Sequence, residues 1–146
     1  MDIRRMLGVA GVVAASGVLM AGQPAFAQDT TWSVSETVSD GSGHELTETA
    51  NGQILASDET TLTIGFACTA RSLFAAATSV TECYLEGADG TRYDAANVGA
   101  MPGPAAAYGD AVVAAPRQAY KVCVDALTFL TTGALLEAPL ACSPQT

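Results

Sequence analysis

The chain has 146 residues, a formal net charge of −9 and only 14% charged side chains. Outside the first few residues its basic side chains are Arg71, Arg92, Arg117 and Lys121, scattered without a patch. Nucleic acid is therefore disfavoured as a partner, because phosphate recognition needs clustered Lys and Arg, and an anionic membrane surface is disfavoured for the same reason.

Residues 1–27 read as a secretory signal peptide. Arg4 and Arg5 form a short basic region, an apolar run extends from Met6 to Met20, and Ala25-Phe26-Ala27 supplies a small-x-small cleavage pattern. The run is short for a membrane span, which takes about 20 apolar residues, so no span is expected after cleavage. Cutting after Ala27 leaves 119 of the 146 residues. Losing Asp2, Arg4 and Arg5 takes the 15 acidic and 6 basic side chains to 14 and 4, a net charge of −10. Residues 28–146 are then one acidic domain, secreted to the medium or periplasm of a bacterium. An even cysteine count in that setting reads as two disulfides.

Taken in order, the domain reads as short strands separated by turns. "TWSVSETVS" alternates, with Trp32, Val34 and Val38 on one face. Asp40-Gly41-Ser42-Gly43 is a turn, "HELTET" a second strand, and Asn51-Gly52 a hairpin signal before "QILAS". Asp58-Glu59 turns the chain into a strand carrying Leu62, Ile64, Phe66 and Cys68 on one face. "RSLFAAAT" is a connector with room for one or two helical turns, followed by the short strand "TECYLE". Ala88-Asp89-Gly90 leads into "TRYDA", and "GAMPGPAAAYGD" reads as loop because Pro102-Gly103-Pro104 suits neither a helix nor a central strand. "AVVAAP", "AYKVCVDALTFL" and a last strand from Ala134 to Cys142 complete the chain.

The cysteine spacing bears on pairing. Cys123 and Cys142 each stand nine residues from the Thr132-Gly133 pair, so a hairpin turning there places them opposite each other. Facing Cα atoms lie about 4.5 or 5.5 Å apart according to hydrogen-bond register, inside the usual disulfide window of about 4.4–6.8 Å. Cys68 with Cys83 closes a loop of similar size, and each bond is worth roughly 3 kcal/mol in the chain-entropy model. A competing pattern joins Cys68 or Cys83 to Cys123 across two sheets, as antibody domains do. Both faces of the last hairpin are largely apolar: Val122 and Val124 on one, Leu127, Phe129, Leu136 and Leu140 on the other. Either both faces are covered, or a bulge switches faces midway.

Strands at this spacing predict an all-β fold, an immunoglobulin-like antiparallel β-sandwich of about seven strands stapled by two disulfides. Tyr120, Val122, Val124 and Ala126 before a Gly turn resemble the penultimate strand of fibronectin type III and related immunoglobulin-like domains. The gap between Cys68 and Cys83 after an apolar strand, with a Pro-rich loop beyond it, is similar to the secreted subtilisin-inhibitor family of actinobacteria. That resemblance implies a reactive loop over residues 100–108, carried by Met101, Pro102, Gly103, Pro104 and Tyr108. The chromophore-carrying antitumour proteins of bacteria are similar in export, size and disulfide number.

Catalytic sets are sparse. His44 is the one histidine. "HELTE" has Glu48 where a zinc-protease helix needs its second histidine, and no G-x-S-x-G elbow is present. Glu82, Glu86, Asp89, Asp94 and Asp110 are the acids weighed for glycoside hydrolysis or calcium; none has EF-hand spacing, and a sugar cleft would want more than the single Trp32. The expectation is a non-catalytic binding or structural module at the bacterial exterior, with no metal or cofactor. An extracellular protein is the partner class that suits it. The alternative is a serine-protease inhibitor acting through the 100–108 loop.

Overall fold

The computed structural model describes residues 30–73, 75–96 and 104–146; residues 1–27, read from the sequence as a signal peptide, and Met101, Pro102 and Gly103 of the expected loop lie outside them. Eight strands follow in chain order: β1 Thr31–Ser39, β2 Glu45–Ser57, β3 Thr61–Ser72, β4 Ala75–Gly87, β5 Arg92–Asp94, β6 Ala105–Ala114, β7 Tyr120–Leu130 and β8 Leu135–Cys142. They form two four-stranded sheets, β1-β2-β3-β6 and β5-β4-β7-β8, with every pairing antiparallel. The sheets face each other across a shared apolar layer built from Trp32, Leu46, Ile64, Phe66, Leu85 and Val122. The fold is a β-sandwich. Among the described residues no helix is long and apolar enough to cross a membrane.

Local alternation explains most of these strands. In β3 the even positions from Leu62 to Ala70 are buried and the odd ones half-exposed, the period of a strand with one face on a core. Two expectations fail because they read residues locally. Asn51-Gly52 is no turn: β2 runs straight through it, with Gly52 opposite Trp32 on one side and Phe66 on the other. Glycine is there for packing. A Cβ at residue 52 would stand 2.9 Å from Val122 Cγ1 and 3.3 Å from Trp32 Cε3. "RSLFAAAT" likewise has no helical turn, since β3 continues to Ser72 and β4 begins at Ala75.

The inner row Trp32–Gly52–Phe66–Gly109 alternates large and absent side chains across β1, β2, β3 and β6. Trp32 and Val122 take the space at Gly52 and Phe66 the space at Gly109, where a Cβ would lie 2.5 Å from Phe66 Cζ. Gly109→Ala is therefore expected to destabilise by about 1–3 kcal/mol through overpacking, read as a lower urea midpoint with an unchanged slope. One row further, Ala50 and Ala107 flank Cys68, and these small neighbours leave room for its disulfide.

Both disulfides pair as expected: Cys68–Cys83 with Cα atoms 5.9 Å apart, Cys123–Cys142 with 4.1 Å. They do different jobs. Cys123 and Cys142 are direct partners within one sheet. Cys68 and Cys83 instead join β3 to β4, which belong to opposite sheets, so the inter-sheet staple exists without using Cys123. A bulge makes it possible. Thr81 is the extra residue where the β4–β7 register shifts between Val80 and Glu82; inward positions change there from Thr78 and Val80 to Cys83 and Leu85. Thr81 Oγ1 donates to the Asp125 carbonyl at 3.0 Å, which holds the bulge.

The last hairpin also turns on a bulge, located in β8. Near the turn Phe129 faces Leu135 and Ala126 faces Ala138, a register centred on Thr132; beyond Pro139-Leu140 it shifts by one, and Val124 meets Ala141. Buried positions in β8 switch accordingly from Ala138 to Ala141, while β7 keeps one inward set from Tyr120 to Leu130. Phe129, Leu135 and Leu140 stay roughly half-exposed on the outer face.

Candidate functional site

"AAAYGD" folds as the first part of strand β6 rather than loop, continuing into the expected strand "AVVA", and this sets a concavity on the first sheet. The inward positions of β6 are Ala105, Ala107, Ala111 and Val113. Tyr108 and Asp110 point outward across β3, opposite Ala67 and Gly65, and those residues are in turn opposite Asn51 and Gln53 of β2. The result is a groove of about 720 Å³ over the outer face of the first sheet. It reaches from Thr31 and Ser33 on β1 to Tyr108 and Asp110 on β6, three inter-strand steps or about 14 Å. Its volume lies within the range of small-molecule sites.

Its shape has specific causes. The floor is low because Gly65 and Ala67 present almost no side chain. Leu55 is the unpaired residue of a bulge between Ile54 and Ala56 in β2, and the bulge carries its side chain over the strand beside it. A Cβ at residue 65 would lie 2.7 Å from Leu55 Cδ1 and 3.4 Å from Asp110 Oδ1. Leu55 and the Tyr108 ring, 53% and 67% exposed, form opposite walls. Elsewhere on this face the hydroxyls tie each other up, Ser35 to Thr49 at 3.2 Å and Thr37 to Thr47 at 2.9 Å. Among the described residues, no hydrogen bond or ion pair engages the side chains of Asn51, Gln53 or Asp110.

Of the reactive-loop residues expected from the sequence, Met101, Pro102 and Gly103 lie outside the described residues. Pro104 is exposed just before β6, and Tyr108 belongs to the groove. Of the acids considered, two meet, and they meet at a cation. Arg92 holds Asp94 at 2.7 Å and Glu82 at 3.6 Å while its guanidinium lies 3.6 Å above the Tyr84 ring. Glu86 faces Lys121 at 3.7 Å, Asp89 accepts the Thr91 amide in a turn, and only Asp110 enters the groove. His44 serves its turn: Asp40 Oδ2 lies 2.7 Å from His44 Nδ1, and Ser42 Oγ lies 3.4 Å from the same nitrogen. A catalytic triad places acid and serine on opposite ring nitrogens. The Ser42 amide, with further help from His44, holds the Asp40 carboxyl far below the usual range. Among the described residues no cluster of His, Cys, Asp and Glu has metal-binding geometry.

The most perturbed acid lies elsewhere. Glu48 is fully buried on the inward face of β2, and neither carboxyl oxygen has a hydrogen-bond partner. Burial, with the charges of Asp125 and Glu36 adding to it, pushes its carboxyl up to about 8. The Ala126 amide pulls weakly the other way without reaching hydrogen-bond geometry. The neighbouring Thr78–Thr128 pair, also buried, is satisfied at 3.0 Å. Glu48 lines neither the groove nor the smaller cavity beside Arg92, so it bears on stability rather than on binding.

Asn51, Gln53, Leu55 and Gly65 escape a residue-by-residue reading. A signal for them exists: "Asn51-x-Gln53" and "Tyr108-x-Asp110" each place two polar groups on one strand face. Comparison with protein-family models and with the curated proteins finds no match for the chain.

Proposed function

We propose that this protein is an exported, non-catalytic binding module whose ligand seats in the groove of the first sheet. The observation that carries it is the exposed Tyr108 ring standing across the low Gly65–Ala67 floor from Leu55, with uncommitted polar side chains beside them. Export is supported by the N-terminal pattern of residues 1–27 and by two disulfides with no free cysteine among the described residues, a combination suited to an oxidising compartment. Interlocking of β3–β6 with β4–β7 supports an immunoglobulin-like reading of the sandwich. The scaffold keeps the groove rigid: its floor is strand, not loop, and ordering a preformed site costs a ligand little.

The test is a ¹⁵N NMR titration of residues 28–146 with a library of neutral sugars, small organic cations and apolar compounds. The expected result is saturable shifts at the amides of Gly65, Ala67 and Gly109. Tyr108→Ala, which removes a wall, and Gly65→Val, which raises the floor, are each expected to weaken binding roughly tenfold or more. The melting temperature of Tyr108→Ala should stay near the parent value, and that of Gly65→Val should fall modestly as Leu55 is displaced. No saturable shift at the groove with any library member would sink the proposal.

A further inference from the structure

We infer that the groove is built for a neutral saccharide, with a sugar ring laid on Tyr108 and its hydroxyls taken by Asn51, Gln53 and Asp110. This inference rests on the binding-module reading and adds the ligand class.

Charge narrows the choice first. No cation lines the groove and Asp110 is its one ionisable acid, so phosphates, sulfates and carboxylates meet repulsion from the site and from an acidic chain. Arg92 and Lys121 are committed to carboxylates on the second sheet, and neither Arg71 nor Arg117 lines the groove. The choice falls between a neutral polar ligand and an organic cation. A cation is best served by several carboxylates or by an aromatic cage. Here there is one carboxylate and one exposed ring, and uncharged hydrogen-bonding groups predominate.

Hydrogen-bond chemistry then points to hydroxyls. Asn51 and Gln53 each offer an amide N–H₂ and a carbonyl oxygen, and Asp110 offers acceptors. A row of vicinal hydroxyls can donate to one neighbour and accept from the next, matching such mixed partners. The C–H face of a pyranose ring is apolar and faintly positive, and it complements the negative face of an aromatic ring. Tyr108 and Asp110 lie two residues apart on the same face of β6, with Asn51 and Gln53 repeating that spacing on β2. The two polar pairs stand on either side of the Gly65–Ala67 floor. A short oligosaccharide lying across the strands meets both rows at once.

The test uses residues 28–146, with defined neutral trisaccharides of glucose, N-acetylglucosamine and mannose as one arm and benzyltrimethylammonium as the other. The expected result is groove-localised NMR shifts with at least one trisaccharide, in an affinity that does not change between 20 and 500 mM salt, as expected for an uncharged ligand. Tyr108→Ala should weaken it by roughly tenfold or more, and Asn51→Ala with Gln53→Ala should do so without altering the fold's NMR dispersion. Groove shifts from the ammonium compound alone, weakening with salt, overturn the saccharide inference and leave the binding module standing. Trisaccharide binding unaffected by all three substitutions overturns it as well, because the sugar then sits elsewhere. Silence of the groove toward both arms removes the saccharide inference; silence toward the whole library above removes the module reading with it.

Discussion

Stability should fall steadily as pH rises from 5 to about 8, and Glu48→Gln should remove most of that fall. The Glu48 carboxyl ordinarily ionises near 4.5 but is pushed up to about 8 in the folded protein. Below about 4.5 both folded and unfolded chains carry the proton, and the residue costs nothing extra. Between the two values the unfolded chain releases its proton while the folded chain keeps it. Folding then becomes less favourable by about 1.4 kcal/mol per pH unit. Above about 8 both states are ionised and the loss levels off. The window is wide enough for a total of roughly 3–5 kcal/mol, a large share of a domain's stability. Asp125, also pushed upward by burial and by Glu82, contributes a loss of the same sign that begins at the ordinary carboxylate range. Asp40, Asp58 and Asp89 are pulled down by turn amides; their contribution is lost only as pH falls below the ordinary carboxylate range, so it does not enter this window.

Urea denaturation of the parent and Glu48→Gln at pH 5, 7 and 9 measures the effect. At pH 5 the two proteins should lie close together, each burying a neutral polar group. At pH 9 the variant should be the more stable by several kcal/mol, with a melting temperature higher by on the order of 10 °C. Parallel pH profiles for the two proteins would show that the carboxyl is not held neutral in the core.

Reduction should unfold the protein. In the chain-entropy model each disulfide contributes roughly 3 kcal/mol, and the two together rival the 5–15 kcal/mol that holds an ordinary domain folded. The structure separates their effects. Cys68–Cys83 ties β3 to β4 across the sandwich, so Cys68→Ala with Cys83→Ala should lower stability globally and cooperatively. Cys123–Cys142 ties edge strand β8 to β7. Without it the end of β8 is held by hydrogen bonds alone, such as Ser143 N–H to the Val122 carbonyl at 2.9 Å and Val122 N–H to Ser143 Oγ at 3.1 Å. Cys123→Ala with Cys142→Ala should therefore speed hydrogen exchange first at the β7–β8 ladder. Calorimetry and exchange mass spectrometry distinguish the two patterns. An equal, uniform loss of protection in both double variants would contradict this division.

The sequence by itself determined the all-β class, most strand positions and the Cys123–Cys142 pairing. The strands follow from something local, the two-residue period of residues such as Leu62, Ile64, Phe66 and Cys68. Spacing about Thr132-Gly133 pointed to the cysteine pair, although the turn is centred on Thr132 and the bulge in β8 is what brings the two opposite each other. Tertiary structure decided the rest, because the causes lie on other strands. Gly52 is a packing glycine only because Val122 comes from the opposite sheet and Trp32 from the strand beside it. Cys83 faces inward only because Thr81 bulges against β7. Tyr108 leaves the supposed loop because β6 pairs with β3 along its whole length; its alanines and glycine have low strand propensity, and burial against the second sheet overrides it. The groove is the clearest case, since Asn51, Gly65 and Asp110 meet through the register of β2, β3 and β6. Periodicity along a chain shows which face a residue takes, but only long-range pairing says what stands beside it.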